Sequence, residues 1–213
     1  MNQPSIYIYG YLVHEPVTAL TDLIICICCT ILGSKVGKSS DRNWSYFFYT
    51  IALASFFGGL GHGLYLYKNN ILQLISRSTN IVAVYVVSLA SISLLKNVNV
   101  RFFIKVISFI QLIVGLGYLI FYNQFWIVKL DAVLGLGIIV GGINVFLAIK
   151  GNKGSLFILV GLIIHGIAAF LHSNKISISR WFNHNDISHV ILIFGFYFMA
   201  KGVIKLHEYY AIN

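Results

Sequence analysis

Charge is scarce in this chain of 213 residues: Lys, Arg, Asp and Glu make up only 10% of it, and only six residues are acidic. Hydrophobic residues make up 58%, whereas a soluble globular domain contains roughly 45–50%. The scarcity of charge and the excess of apolar residues exclude an ordinary soluble domain. They predict an integral membrane protein.

Cysteine is scarce as well. Cys26, Cys28 and Cys29 lie within one turn of the first apolar run, where they cannot readily pair with one another, and no CxxC pair recurs elsewhere. We expect them to be small buried hydrophobic residues. Lys and Arg are missing before this run, so the start lacks the basic region of a secretory signal and is interpreted as mature protein.

Hydropathy predicts an all-α membrane protein, a single domain over residues 1–213 with seven transmembrane helices. The predicted spans are about 16–33, 45–67, 79–95, 102–122, 126–149, 155–172 and 186–204. Segment 71–77 is too short to cross a membrane, so it either lies at the interface or extends the third helix.

The links between spans predict the orientation of the bundle. An up-and-down path brings the starts of the odd-numbered spans and the ends of the even-numbered spans to one face, here called the N-side. Its basic residues are Lys68, Arg77, Lys129, Lys175 and Arg180. The opposite face has twice as many, namely Lys35, Lys38, Arg42, Lys96, Arg101, Lys105, Lys150, Lys153, Lys201 and Lys205. By the positive-inside rule, we expect a cytoplasmic C-terminus and an N-side that faces the exterior or periplasm.

The net charge of +9 therefore reflects topology, and no basic face is left for nucleic acid. Acids and histidines are distributed the other way. The acids of the N-side half are Glu15, Asp22, Asp131 and Asp186. Its histidines are His14, His62, His165, His172, His184 and His189, which leaves His207 on the other side. This distribution predicts a polar cluster built by several helices.

Span 1 contains HEPVTALTD. Glu15 and Asp22 are seven residues apart and share a helix face with Thr18. Span 2 contains SFFGGLGHGLYLY, in which His62 shares a face with Ser55 and glycines allow another helix to approach closely. An ionisable residue inside a span is costly and is therefore a functional candidate.

Span 7 opens with HNDISHVIL. Asp186 and His189 are three residues apart on one face, and Asn185 and His189 are four apart on an adjoining face. Asn185 or Asp186 can cap the helix, which leaves His184 and His189 without an explanation. Histidines from several helices with carboxylates nearby are what a catalytic zinc site requires, although spacing alone does not choose among the six.

These residues resemble the CREST superfamily of seven-helix membrane hydrolases, which includes alkaline ceramidases, progestin and adiponectin receptors and lipid-remodelling proteins. The resemblance covers the architecture of the whole chain, a Ser and a His on span 2, here Ser55 and His62, and the opening of span 7. It implies one Zn²⁺ ion held by His62, His184 and His189. The bound water would attack an amide or ester of a membrane lipid, with Glu15, Asp22, Asp186 and Ser55 as catalytic candidates.

The chain departs from the superfamily pattern at three positions. Gly58 stands where the superfamily has its span-2 serine, His184 and His189 are five residues apart instead of four, and Asn80 is the nearest match to an Asp at the start of span 3. Other ligands for the metal are therefore His14, His165, His172, Asp22 or Asp186.

Two other functions use the same residues. A proton- or ion-coupled transporter, channel or sensor could pass ions along the buried acids and histidines. It predicts polar residues through the full membrane depth, whereas the cytoplasmic half has few beyond Gln111 and Asn144. A bis-histidine haem protein could use His62 with His165 or His189, but would not need the accompanying acids.

Overall fold

A computed structural model of the chain describes residues 3–39, 42–65 and 71–212. A small antiparallel hairpin comes first, with Ile6 opposite Val13, and helices follow. The elements are β1 (Ile6–Ile8), β2 (Tyr11–Val13), α1 (Pro16–Ser39), α2 (Arg42–Gly63), α3 (Ile71–Ile92), α4 (Val98–Tyr122), α5 (Trp126–Ala132), a π-helical segment (Val133–Val140), α6 (Gly141–Ile149), α7 (Lys153–Ser173) and α8 (His184–Ile212).

The predicted all-α membrane bundle is confirmed. Among the described residues, six helices are long and apolar enough to cross a membrane: Pro16–Lys38, Ile71–Ile92, Val98–Tyr122, Trp126–Ile149, Lys153–Ser173 and His184–Leu206. α2 is as long as the others but falls outside this set, because its hydroxyl groups, tyrosines and glycines lower its mean hydropathy. The predicted end of span 2 lies outside the described residues.

Several predicted boundaries change. The first helix continues to Ser39 instead of residue 33, and the fourth begins at Val98 instead of residue 102. Segment 71–77 extends the third helix, which begins at Ile71 instead of residue 79. The last helix begins at His184, two residues before the predicted start. The short hairpin of β1 and β2 was not predicted, since three-residue strands leave little pattern in a sequence.

The helices form a ring. α1 packs between α8 and α2, and α2 packs against α3. α3 contacts the π-helical segment and α6. α6 packs against α7, and α7 packs against α8, which closes the ring. α4 lies outside the ring against α3 and α5. The centre of the ring is apolar and includes Phe47, Phe48, Cys29 and Met199, so the cysteine prediction holds for Cys29; Cys26 and Cys28 are only partly buried.

Glycines allow α7 and α8 to lie in close contact. A Cβ atom on Gly161 would lie 2.7 Å from the carbonyl oxygen of Gly195, which is closer than real Cβ atoms come. Without a side chain the two backbones can touch, as small residues permit in membrane bundles. This contact fixes where the N-terminal end of α8, which carries the predicted site residues, lies along α1.

Candidate functional site

The start of α8 is held by a capping box. Asn183 precedes the helix, and its side-chain oxygen accepts the backbone N–H of Asn185 at 2.8 Å. Three residues on, the Asp186 carboxylate accepts the backbone N–H of Asn183 at 2.7 Å. This reciprocal pattern satisfies two N–H groups that a helix start leaves open. Capping by Asp186 is confirmed, whereas the cap residue is Asn183 and not Asn185.

Asp186 also ties α8 to α1. Its carboxylate is fully buried and accepts hydrogen bonds from Thr18 Oγ1 at 2.9 Å and Gln3 Nε2 at 2.5 Å. The amide oxygen of Gln3 accepts the backbone N–H groups of Val17 and Thr18, at the start of α1. Two helix starts therefore meet at one carboxylate, and the three donors leave Asp186 little capacity for chemistry.

Glu15 and His62 form a hydrogen-bonded pair between the start of α1 and the end of α2, with 2.5 Å between Glu15 Oε2 and His62 Nδ1. Glu15 has a positive φ of 42°, which is strained for a residue with a side chain. The hydrogen bond from His62 holds the pKa of the Glu15 carboxyl below its ordinary value. The strained backbone and the short contact both hold this carboxylate against the histidine.

His189 contacts α1 through Thr21. The Thr21 hydroxyl lies 3.0 Å from the carbonyl oxygen of Thr18 and 2.9 Å from His189 Nδ1. A hydroxyl has one proton, and the carbonyl of Thr18 can only accept it. Nδ1 of His189 must therefore carry the proton that reaches Thr21. In the neutral ring, Nε2 is then left with a lone pair.

Asp22 faces that lone pair. Its Oδ1 lies 3.7 Å from His189 Nε2, and both side chains are largely buried. Asp22 packs on the glycines of α2: a Cβ on Gly58 would lie 3.1 Å from Oδ2 of Asp22 and 3.2 Å from the hydroxyl of Ser76 on α3. Asp22, His62 and Asp186 also interact electrostatically. The glycines of span 2 therefore make room for an acid that contacts α2 and faces α8.

The remaining predicted residues are less central. His184 packs against His172, with 5.2 Å between ring centroids, and its backbone N–H donates to Ser177. His165 lies in the core, where its Nε2 is 3.3 Å from the carbonyl oxygen of Leu192, and His14 bonds Ser5 at the surface. Ser55 is half-buried, two helical turns from His62.

Three polar residues of the cluster were not predicted. Gln3 precedes the first helix, and Thr21 differs little in sequence from any helical threonine. Ser76 belongs to segment 71–77, which was predicted either to lie at the interface or to extend the third helix. Thr21 is three residues after Thr18 and one before Asp22, so its helix position was the one available signal. Gln3 left no signal, because its partner Asp186 is 183 residues away.

The predicted zinc can be compared with these donors. His62 and His189 each have Nδ1 engaged by an oxygen, which is how metal-bound histidines are usually held while Nε2 binds the ion. Two ligand atoms on a tetrahedral zinc lie about 3.4 Å apart. Asp22 Oδ1 and His189 Nε2 are 3.7 Å apart, close to that separation.

The predicted trio itself is not gathered around one point. Within residues 3–39, 42–65 and 71–212, no three His, Cys, Asp or Glu side chains form a group that could hold a metal ion. The donor pair of Asp22 and His189 has the chemistry that zinc requires, and His62, which interacts electrostatically with Asp22, is a further donor of the right kind. His184 packs against His172 instead.

Comparison with known proteins identifies the family of this chain but assigns no activity to it. A family model described as "Family of unknown function (DUF6962)" matches residues 17–208, almost the whole chain. No curated protein and no solved structure matches the chain.

Proposed function

The chain belongs to DUF6962, a family of unknown function, and we propose from its site that it is a membrane-embedded, zinc-dependent hydrolase of an amide or ester bond in a lipid. The observation that carries this proposal is the pair of Asp22 and His189. Oδ1 of the acid and the lone pair of Nε2 are both acceptors, and they face each other at 3.7 Å in a buried place. Two buried acceptors repel unless a positive charge lies between them.

A zinc ion would supply that charge. His189, Asp22 and His62 are the residues that would hold it, and the ion would supply a bound water whose pKa is about 7. Thr21 holds the His189 ring in the tautomer that leaves Nε2 unprotonated. Glu15 accepts a hydrogen bond from Nδ1 of His62, so Nε2 of His62 is also left unprotonated. The Thr21 hydroxyl and the Glu15 carboxylate are positioning groups, because they act through the two histidines.

The second oxygen of Asp22 is assigned to proton transfer. Oδ2 and the Ser76 hydroxyl both border Gly58, at 3.1 and 3.2 Å from where its Cβ would be. A carboxylate oxygen beside the attacking water can accept its proton and later return it to the leaving amine or alcohol. Ser76 is the hydroxyl that can donate a hydrogen bond to this oxygen or to the substrate carbonyl.

The position of the cluster supports a lipid substrate. The cluster lies at the N-side ends of α1, α2 and α8, and the carbonyl oxygen of Trp181 accepts a hydrogen bond from Gln3, which also contacts Asp186. The Trp181 side chain is about half exposed, as expected of an aromatic residue at the headgroup level. Amide and ester linkages of lipids lie at that depth. By the charge distribution of the links, the site faces the exterior or periplasm.

Elemental analysis of detergent-purified protein tests the proposal. We expect about one zinc per chain in the wild type, retained in His165→Gln and lost in His62→Ala and His189→Ala. His165 is the matched control, since it is a buried histidine outside the cluster. A folded wild type without stoichiometric metal would refute the zinc mechanism.

A hydrolysis assay follows, with one fluorescent lipid amide and one fluorescent lipid ester as substrates. Under the proposal, the same two alanine variants lose turnover together with the metal. Turnover that survives loss of the metal would contradict the assignment of the water to zinc.

The same pair favours a second function, a proton-coupled transporter or sensor. A proton can bridge Asp22 and His189 as a metal can, and the Glu15–His62 pair joins the start of α1 to α2. In this case the protein binds no metal and catalyses proton uptake into liposomes, which Asp22→Asn abolishes. Metal analysis therefore separates the two functions before any substrate is known.

A further inference from the structure

Two cations share one aromatic ring on the N-side. The guanidinium carbon of Arg77, on α3, lies 5.7 Å from the centre of the Phe125 ring, and Nζ of Lys129, on α5, lies 5.5 Å from it. The His172 ring, on α7, packs against the same phenylalanine with 5.5 Å between centroids. Three helices therefore bring a basic residue to one ring, and the proposed hydrolysis uses none of them.

Uncharged groups hold both cations in place. Arg77 donates to the backbone and side-chain oxygens of Asn123 at 2.7 and 2.8 Å, and to Gln73 at 3.3 Å. Lys129 donates to the hydroxyl of Ser173 at 3.1 Å. A guanidinium has five N–H groups and an ammonium has three, so each cation keeps two N–H groups that bind no described residue. Neither positive charge is balanced by these partners.

The acids on this side of the bundle are engaged elsewhere. Each has a partner other than Arg77 or Lys129 among the described residues: Glu15 contacts His62, Asp22 contacts His189, Asp186 contacts Gln3 and Thr18, and Asp131 contacts Gln111. The other two acids of the sequence, Asp41 and Glu208, belong to the opposite face. Two positive charges that lie close together repel each other, and an anion bound beside both removes the repulsion. Arg77 and Lys129 therefore supply the charge that an anion requires.

Exposed aromatic residues place these cations at the headgroup level. Phe125 is 40% exposed, and the neighbouring Trp126 is 48% exposed. Trp126 packs against Tyr118 with 5.1 Å between ring centroids, and Tyr118 packs against Tyr122 at 4.6 Å. Tryptophan and tyrosine concentrate where the hydrocarbon meets the headgroups, and the phosphate groups of lipids lie at the same depth. The anion that a membrane offers at this place is therefore a lipid phosphate.

We propose that Arg77 and Lys129, with the ring of Phe125 and the hydroxyl of Ser173, form a binding site for the phosphate of an anionic phospholipid. The guanidinium and the ammonium donate to the phosphate oxygens. Ser173 accepts from Lys129, so it keeps its own proton for the same phosphate. Basic pockets between membrane helices bind anionic headgroups in this way. The site does not depend on the proposed hydrolysis.

Thermal unfolding of the purified protein tests the site in detergent micelles that contain dioleoylphosphatidylglycerol, which is anionic, or dioleoylphosphatidylcholine, which is zwitterionic. We expect the unfolding midpoint to rise with the anionic lipid and reach a plateau, because a ligand that binds only the folded protein stabilises it. At about a hundred times the dissociation constant, the rise should be about 5 °C. The zwitterionic lipid should raise the midpoint far less, because its choline group repels the two cations.

Substitutions of Lys129 separate its charge from its packing. Lys129→Gln keeps an N–H for Ser173 but removes the charge, and it should lose most of the rise. Lys129→Arg keeps the charge and should retain the rise. Lys150→Gln is the matched control, because Lys150 lies on the opposite face, 4.1 Å from the centre of the Phe146 ring, and its loss removes the same charge from a similar contact. This control should respond to the anionic lipid as the wild type does.

Arg77→Gln is a second variant, and it should lose the rise in the same way. The proposal is overturned if the two lipids give the wild type the same midpoint, or if Lys129→Gln and Lys150→Gln respond equally. Sodium phosphate at constant ionic strength should raise the midpoint less than the anionic lipid does. An equal rise with inorganic phosphate would overturn the assignment to a lipid, since the site would then bind the free anion.

Discussion

Thr21→Val isolates the contact that sets the state of His189. Valine has nearly the shape of threonine, so the packing of α1 against α8 is preserved while the hydroxyl is lost. The Nδ1–H of His189 then has no acceptor in a buried place, which costs about 1–3 kcal/mol. The bond from Thr21 to the Thr18 carbonyl is also lost, but that bond lies within α1. We expect a loss of about 2 kcal/mol in the free energy of unfolding.

The expected effect on metal binding is larger. Removing a partner that orients a metal-bound histidine typically lowers affinity 10- to 100-fold, so Thr21→Val should bind zinc more weakly by about that factor. Stability is measured by titration with a denaturing detergent, and zinc affinity by competition with a chelator. Thr21→Ser, which keeps the hydroxyl, should restore most of both quantities.

Thr50→Val is the matched control. Thr50 donates to the carbonyl oxygen of Tyr46 within α2 and has the same chemistry outside the cluster. Its substitution should change stability by less than about 0.5 kcal/mol. If Thr21→Val and Thr50→Val cost the same and bind zinc equally, Thr21 does not accept from His189, and the argument for an unprotonated Nε2 is refuted.

Three further predictions concern other contacts. The His62 hydrogen bond keeps the pKa of Glu15 below 4.5, so the pair stabilises the folded protein above that pH. The free energy of unfolding of the wild type should fall as the pH drops through the lowered pKa. The difference in this free energy between the wild type and Glu15→Gln should vanish in acid. Gly161→Val should lower the free energy of unfolding by about 1–3 kcal/mol, because its side chain would meet the backbone of α8. Gly166→Val should not, since a Cβ at Gly166 has nothing within 4 Å. Equal effects of the two substitutions would contradict the close contact of α7 and α8. Gln3→Leu should speed hydrogen exchange at the start of α1, and unchanged exchange would show that Gln3 does not hold this end.

Much of the site was predictable because polar residues are rare in this chain. Glu15, Asp22, His62 and His189 were identified as candidates from their cost inside a membrane, and the structure brings them together in two acid–histidine pairs. The metal trio was not predictable in the same way. His184 belongs to the same motif as His189, but five residues of helix turn it toward α7, where it meets His172.

The sequence by itself determined the class of the molecule and the end of the bundle at which its chemistry lies. Apolar run length and helical periodicity are local properties, and the bilayer makes them decisive, since every backbone polar group of a span must be satisfied within its own helix. Only the tertiary structure decided which acid meets which histidine and how Gln3 and Thr21 serve the site. Those contacts join residues up to 183 positions apart, and they depend on the rotation and depth of each helix in the ring. Packing between helices sets these quantities, and no single helix contains the information to do so.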